Sequence, residues 1–314
     1  MARLKLLPET PNFNFLGKRT IFFAFSTILI LLSVFEFSSK GMNYGIDFTG
    51  GIMIEVKTDQ PGRIGFMRGA LKDLGLGAVE LQEFGAPNDV LIRLQAQQGG
   101  EKAQQSAIAK VKKALGKGIE YRRTELVGPK VSDELFWSGV YAVASAILAI
   151  LFYIWIRFEW QFGVGAVIAL THDVISTIGI FSLLGMEFNL STVAAVLTIA
   201  GYSINDTVVV FDRVRENLRK YKTKPMFQLL NESINETLSR TMMTSFTTLL
   251  ALAALYFLGG EIIRDFAFAM IWGIVVGTYS SVCVAVPLLL NFKVERRSND
   301  GEGNASSTIE QTLP

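Results

Sequence analysis

Apolar residues in this chain come in long blocks separated by short polar stretches, and block length is the first clue to the solvent. A membrane-spanning helix needs about 20 largely apolar residues. Six stretches approach or exceed that length: Thr20–Phe37, Leu135–Ile156, Phe162–Leu184, Leu190–Phe211, Met242–Leu258 and Phe266–Leu290. The pattern predicts a polytopic α-helical membrane protein with six transmembrane helices. A cleavable leader is the competing reading of the first block. Its apolar core is long and bulky, however, and no small-x-small site follows before Ser38 and Lys40, so a retained anchor is expected.

Between the first two blocks the hydrophobic period shortens. Ile52–Val56 reads as a strand after a Gly-rich turn, Ile64–Leu74 as a helix, Glu80–Phe84 and Val90–Leu94 as strands joined by a turn over Gly85–Asp89. A second helix is expected at Glu101–Leu115 and a last strand at Ile119–Leu126. The order β-α-β-β-α-β predicts an α+β, ferredoxin-like domain, a fold shared by many functions. Gly128-Pro129 closes it, and Ser132, Asp133 and Glu134 stand where a helix N-terminus favours hydroxyl caps and acids. Beyond the fourth block, Met226–Thr237 reads as a separate amphipathic helix along the membrane surface, with Phe227, Leu230 and Ile234 facing lipid or protein. The polar tail from Ser298 is expected to be disordered.

Composition sharpens the class. Half of the residues are hydrophobic and 18% are charged, against about 25% in soluble domains. The net charge of +2 gives no support to a nucleic-acid partner. Its distribution sets an orientation, because lysine and arginine in short loops mark the cytoplasmic side. Arg3, Lys5, Lys18 and Arg19 precede the first span; Arg213, Arg215, Arg219, Lys220, Lys222 and Lys224 follow the fourth; Lys293, Arg296 and Arg297 follow the sixth. The loops Gly185–Asn189 and Gly259–Asp265 hold acids and one arginine. Both termini are therefore expected inside. The implied division is a cytoplasmic N-terminus at 1–19, a first span at 20–37, an extracytoplasmic domain at 38–134, spans two to six within 135–292, and a cytoplasmic tail at 293–314. The single cysteine, Cys283, cannot form an internal disulfide.

Ionisable groups inside a span cost about 2.5–3.5 kcal/mol each near the centre on insertion scales and generally face the bundle interior. In the fourth block Thr198, Tyr202 and Asp206 recur every four residues and share a helical face, with Asn205 beside them. In the fifth, Arg240, Thr244, Thr247 and Thr248 form a polar stripe. The two helices run in opposite directions, so Asp206 and Arg240 are expected at similar depth, as an ion pair that protonation would break. Arg240 also reads as a positive-inside anchor, and Asp206 as a structural polar group. The third block carries His172-Asp173 near its middle; the only histidine of the chain would suit a proton relay or a structural hydrogen bond. Asp212 and Arg213 read as helix-end anchors, Gly273 and Gly277 as a small-xxx-small packing pair, and the glycosylation-like triplet at Asn304 is discounted as cytoplasmic. No nucleotide loop, metal cluster, catalytic triad or cofactor motif is visible. A catalytic role is therefore not expected.

Two stretches carry a family resemblance. Gly45-Ile46-Asp47-Phe48-Thr49-Gly50-Gly51 resembles the signature opening the outer domain of the SecD/SecF family, and Gly201–Asn217, with Asp206 at its heart, is similar to the fourth-span signature of its SecF branch. His172-Asp173 and Arg240-Thr241 fall where that branch places similar residues, and the likeness runs from the first span to Leu290. The resemblance implies one half of a twelve-span assembly related to resistance-nodulation-division transporters. It implies pairing with SecD, association with the SecYEG channel, and an ion gradient, a proton gradient being expected, that helps pull unfolded exported polypeptide across the inner membrane. Asp206 would then be the ion-coupling carboxylate and Arg240 its partner, with membrane lipid as the surrounding solvent. The alternatives are half of an ion-coupled small-molecule or lipid exporter, and a passive assembly subunit.

Overall fold

The computed structural model describes residues 11–292 except 61, 62, 73, 85, 98 and 117. Arg3, Lys5, Gly85, Lys293, Arg296, Arg297, the tail from Ser298 and the Asn304 triplet lie outside the described residues. Among the described residues, six helices are long and apolar enough to cross a membrane. They are α1 (Arg19–Lys40), α5 (Pro129–Arg157), α6 (Trp160–Leu184), α7 (Leu190–Lys220), α8 (Met226–Leu258) and α9 (Glu261–Ser280). The last span continues through a π-helical turn at Ser281–Ala285 and a short α10 (Val286–Leu288). Pro287, which has no N–H to donate, lies just past that turn. Helices α6, α7 and α9 form the buried centre, whereas α1, α5 and α8 leave most of their apolar surface to lipid.

Small residues set how closely the central helices approach. A side chain added at Gly273 of α9 would meet Ile199 of α7 at 2.3 Å, and one at Gly179 of α6 would meet Ser33 of α1 at 2.2 Å.

The domain between α1 and α5 has the expected order. It contains β2 (Gly51–Thr58), α3 (Ile64–Lys72), β3 (Val79–Phe84), β4 (Ala86–Leu94), α4 (Gly100–Leu115) and β5 (Ile119–Val127). The antiparallel sheet is ordered β3-β4-β2-β5, the split βαβ arrangement. Alternate residues Ile52, Ile54, Val56, Val90, Ile92 and Leu94 are buried against Met67, Leu71, Val111 and Leu115 of the two helices. The opposite face of this sheet looks toward the bundle end that carries the α6–α7 connection.

Four local expectations are corrected. The turn predicted at Gly85–Asp89 is mostly strand: Ala86 pairs with Phe84 and Asp89 with Lys57, because β2 is long enough to extend the ladder. Ser132 does not cap α5. The helix starts earlier, with Gly128 at the cap and Pro129 behind it, and the Ser132 hydroxyl donates to the Pro129 carbonyl. Asp212 and Arg213 are not at a helix end, since α7 continues to Lys220. Asp212 pairs with Arg157 at 2.7 Å, and Arg213 pairs with Glu236 and Glu216 at 2.6 Å.

The fourth correction concerns Met226–Thr237, which is the first part of α8 and not a separate surface helix. No glycine or proline interrupts the run to Leu258. Leu230 and Ile234 are buried in the main core, and Phe227 is exposed. The polar positions of this segment are matched by backbone. The Asn231 and Asn235 side chains accept from the N–H groups of Phe15 and Phe13 (2.9 and 2.8 Å), and both donate to the Phe13 carbonyl at 2.9 Å.

Candidate ion-coupling site

Asp173 of α6 is fully buried, 0% exposed. Its Oδ2 accepts from Ser203 of α7 at 2.5 Å and from Ser280 of α9 at 2.8 Å, while Oδ1 lies 2.9 Å from His172 Nδ1. These bonds tie the three central helices through one carboxylate. Gly277 lies against this junction: a side chain there would stand 3.5 Å from Oδ2 and 3.3 Å from Ser203 Cβ. The His172 ring lies beside Tyr279, with centroids 6.2 Å apart, and its Nε2 is buried without a protein partner.

Asp206 of α7 is also buried, at 4% exposed, but is held more loosely. The Thr278 hydroxyl of α9 bonds to its carboxyl, and Arg240 acts on it electrostatically. Its Oδ2 is buried without a protein partner, as is the Tyr202 hydroxyl one turn away. The expected direct ion pair is not formed: Arg240 is on the exposed side of α8. Long-range attraction therefore links the two charges across a gap rather than a hydrogen bond.

Both acids meet the same short stretch of α9, and the sequence reading overlooked it. Thr278 reaches Asp206 and Ser245 of α8; Tyr279 reaches Ser26 and the Phe22 carbonyl of α1; Ser280 reaches Asp173; Ser281 reaches Thr207 of α7. The four consecutive residues bond outward to α1, α6, α7 and α8, and the last of them, Ser281, opens the π-helical turn. Such turns frequently mark functional positions in helices. The available signal was the polar run Thr278–Ser281 inside an otherwise apolar block.

The other predicted polar residues are not brought to the acids. Thr198, Asn205, Arg240, Thr244 and Thr247 are exposed on α7 and α8, and Thr248 is half-buried. The Thr198 and Thr244 hydroxyls donate to carbonyls of their own helices. A polar band on spanning helices needs a partner other than lipid.

The motif near residue 45 has a different task. It forms a joint between the sheet domain and the α6–α7 connection. Asn43–Tyr44 (β1) pairs in parallel with Glu187–Phe188 (β6), and Ile46–Thr49 (α2) follows. Asp47 Oδ2 accepts from the Leu190 N–H at the start of α7 at 2.9 Å, and Asn189 caps the same helix in a capping box with Thr192. Phe48 packs among Tyr44, Phe136 and Phe188. Gly50 and Gly51 have φ of +66° and +125°, and a side chain at Gly51 would sit 2.4 Å from the Leu94 carbonyl oxygen.

A model of the protein export membrane protein SecD/SecF, C-terminal region, matches residues 107–295, and the SecD/SecF GG motif matches 37–61. The SecF protein translocase subunits of Rickettsia akari and Rhodobacter capsulatus are 46% and 47% identical, each over 94% of this chain and 97% and 93% of theirs. The chain belongs to the SecD/SecF family. Its fold matches the crystal structure of SecDF, a translocon-associated membrane protein from Thermus thermophilus. The TM-score is 0.82 at 38% identity, over 91% of this chain. This chain spans 39% of that longer one. SecDF in its super-membrane-facing form matches at a TM-score of 0.65 with 39% identity over 90% of this chain. The chain is thus a membrane component of the protein translocase and a transport component by kinship.

Proposed function

We propose that the chain is a SecF-type subunit that pairs with SecD, joins the SecYEG channel and uses the ion gradient, carried by protons, to assist export of unfolded polypeptide. The observation that carries this reading is Asp206: a buried carboxyl with one unmatched oxygen in the bundle of a SecD/SecF-family chain. An incompletely matched acid can take up and release an ion, and Arg240 is placed to act on it electrostatically. The exposed polar band of α7 and α8 is the surface for SecD, since lipid gives Asn205 and Arg240 nothing to bond. His172, whose Nε2 is buried without a protein partner, is the neighbouring relay group. By the loop charges, the N-terminus and the end of the sixth span lie in the cytoplasm and the sheet domain lies outside the inner membrane.

The test is export of a precursor in membrane vesicles, with ATP present and the gradient either imposed or collapsed. Asp206→Asn keeps nearly the same shape and removes titration. It is expected to assemble normally and to lose the gradient-dependent stimulation; full stimulation in the mutant refutes the coupling role. One observation favours a passive role for the other acid. Both Asp173 oxygens are matched inside the protein, so it holds the helices in register.

A further inference from the structure

The ion-binding groups and the sheet domain lie on different parts of the molecule, so any work done at Asp206 must cross between them. The α6–α7 connection is where they meet. Helix α6 brings Asp173 and α7 brings Asp206, and the residues joining the two helices are gripped by the sheet domain rather than left in solvent. Arg93, from the bundle-facing side of β4, bonds Glu187 through Nη2 and donates to Asn43 Oδ1 from Nη1 at 2.9 Å. Asn43 in turn donates to the Gly185 carbonyl at 2.9 Å, and the Gly45 N–H donates to the Phe188 carbonyl at 2.9 Å. The side chains of Arg93 and Glu187 are only 13% and 15% exposed, so this is a shielded ion pair and not a solvated surface contact.

The neighbouring backbone is shaped to admit it. A side chain at Gly45 would stand 2.5 Å from Glu187 Oε1. Beside the pair, a cavity of about 170 Å³, lined by Met53, Glu55, Arg123 and Glu125 of the sheet and Ser191 and Asp265 of the bundle, lies between the two parts. The ion pair thus bridges them at the edge of an open space.

We propose that Arg93 and Glu187, with Asn43, are positioning residues of a transmission joint that makes the sheet domain follow the α6–α7 connection. The joint rests on the ion-coupling reading for its purpose but on its own geometry for its existence. A rearrangement of α7 at Asp206 displaces Leu190 and Glu187 at the helix start, and the guanidinium of Arg93 carries that displacement into β4. Removing one partner alone would strand a buried charge, and loss of function could then reflect misfolding. Removing both leaves no stranded charge and still cuts the link.

The test uses the full chain assembled with its partner in lipid nanodiscs and in vesicles, on a Cys283→Ala background. Spin labels at Lys110→Cys on α4 and Leu258→Cys at the end of α8, both exposed positions, report the distance between domain and bundle. The Arg93→Gln/Glu187→Gln double variant is expected to assemble normally, to broaden this distance distribution, and to lose gradient-stimulated export in the vesicles. A double variant with the wild-type distribution, or with full gradient stimulation, overturns the joint. Asp206→Asn run in parallel is expected to lose stimulation with the narrow distribution intact. If that variant keeps its stimulation, the ion-coupling reading fails, and the distance measurement still decides the joint.

Discussion

Each carboxylate oxygen of Asp173 has a protein partner, whereas Oδ2 of Asp206 is buried with none. The difference sets different outcomes for substitution. Asp173→Leu orphans the Ser203 hydroxyl and His172 Nδ1 and is expected to lower bundle stability by about 1 kcal/mol for each, read as earlier thermal aggregation in detergent. Asp206→Asn should melt close to wild type. Sequence spacing identified both acids, because ionisable residues in spans are few and conspicuous. It could not foresee which was satisfied, since Ser203, Thr278 and Ser280 come from other helices. Glu187 gives a pH prediction at the same scale. Burial pushes its carboxyl above the ordinary glutamate value, Arg93 pulls it back, and Asp47 and Glu125 push it further up; Asp265 lines the adjoining cavity. A raised carboxyl protonates sooner as pH falls, and protonation breaks the ion pair with Arg93. On acidification it should open above the pH at which a free glutamate protonates. The Lys110–Leu258 distance distribution should then broaden in wild type, while Glu187→Gln shows no such pH response.

Helix α8 shows how an element can be legible in type and wrong in extent. Its first part is amphipathic and its later part is a mainly apolar block with a polar stripe, a change that reads as two helices. One continuous helix instead runs from Met226 to Leu258. The polar face of the first part is covered by residues 13–16, which no local pattern could reveal. Asn231→Ala with Asn235→Ala should release that segment without unfolding α8, seen as faster amide hydrogen exchange at Phe13 and Phe15 and unchanged exchange beyond Ser245. Equal exchange in the variant would mean that the asparagines do not hold the segment. The sheet domain was read more closely, because alternating burial and turn residues are local signals. The tiny β1–β6 pair escaped, since its strands have two residues each and lie far apart in the chain.

At the scale of the whole molecule, six spans and one ferredoxin-like domain followed from block lengths and periodicity. The joint between them did not, because Arg93 and Glu187 are ordinary surface-type residues in sequence and become paired only by the fold. The orientation predicts that a cysteine at Asn88 reacts with an impermeant thiol reagent added outside, while one at Lys222 does not; reversed labelling would invert the account. The central claim is that Asp206 takes up and releases the coupling ion. The most direct measurement reconstitutes the chain with its SecD and SecYEG partners in liposomes containing a pH-sensitive dye, and imposes a proton gradient during export. Wild type is predicted to pass protons in step with export, and Asp206→Asn, assembled to the same level, to pass none above empty liposomes. Proton movement in the mutant equal to wild type would contradict the account and leave Asp206 as a structural residue.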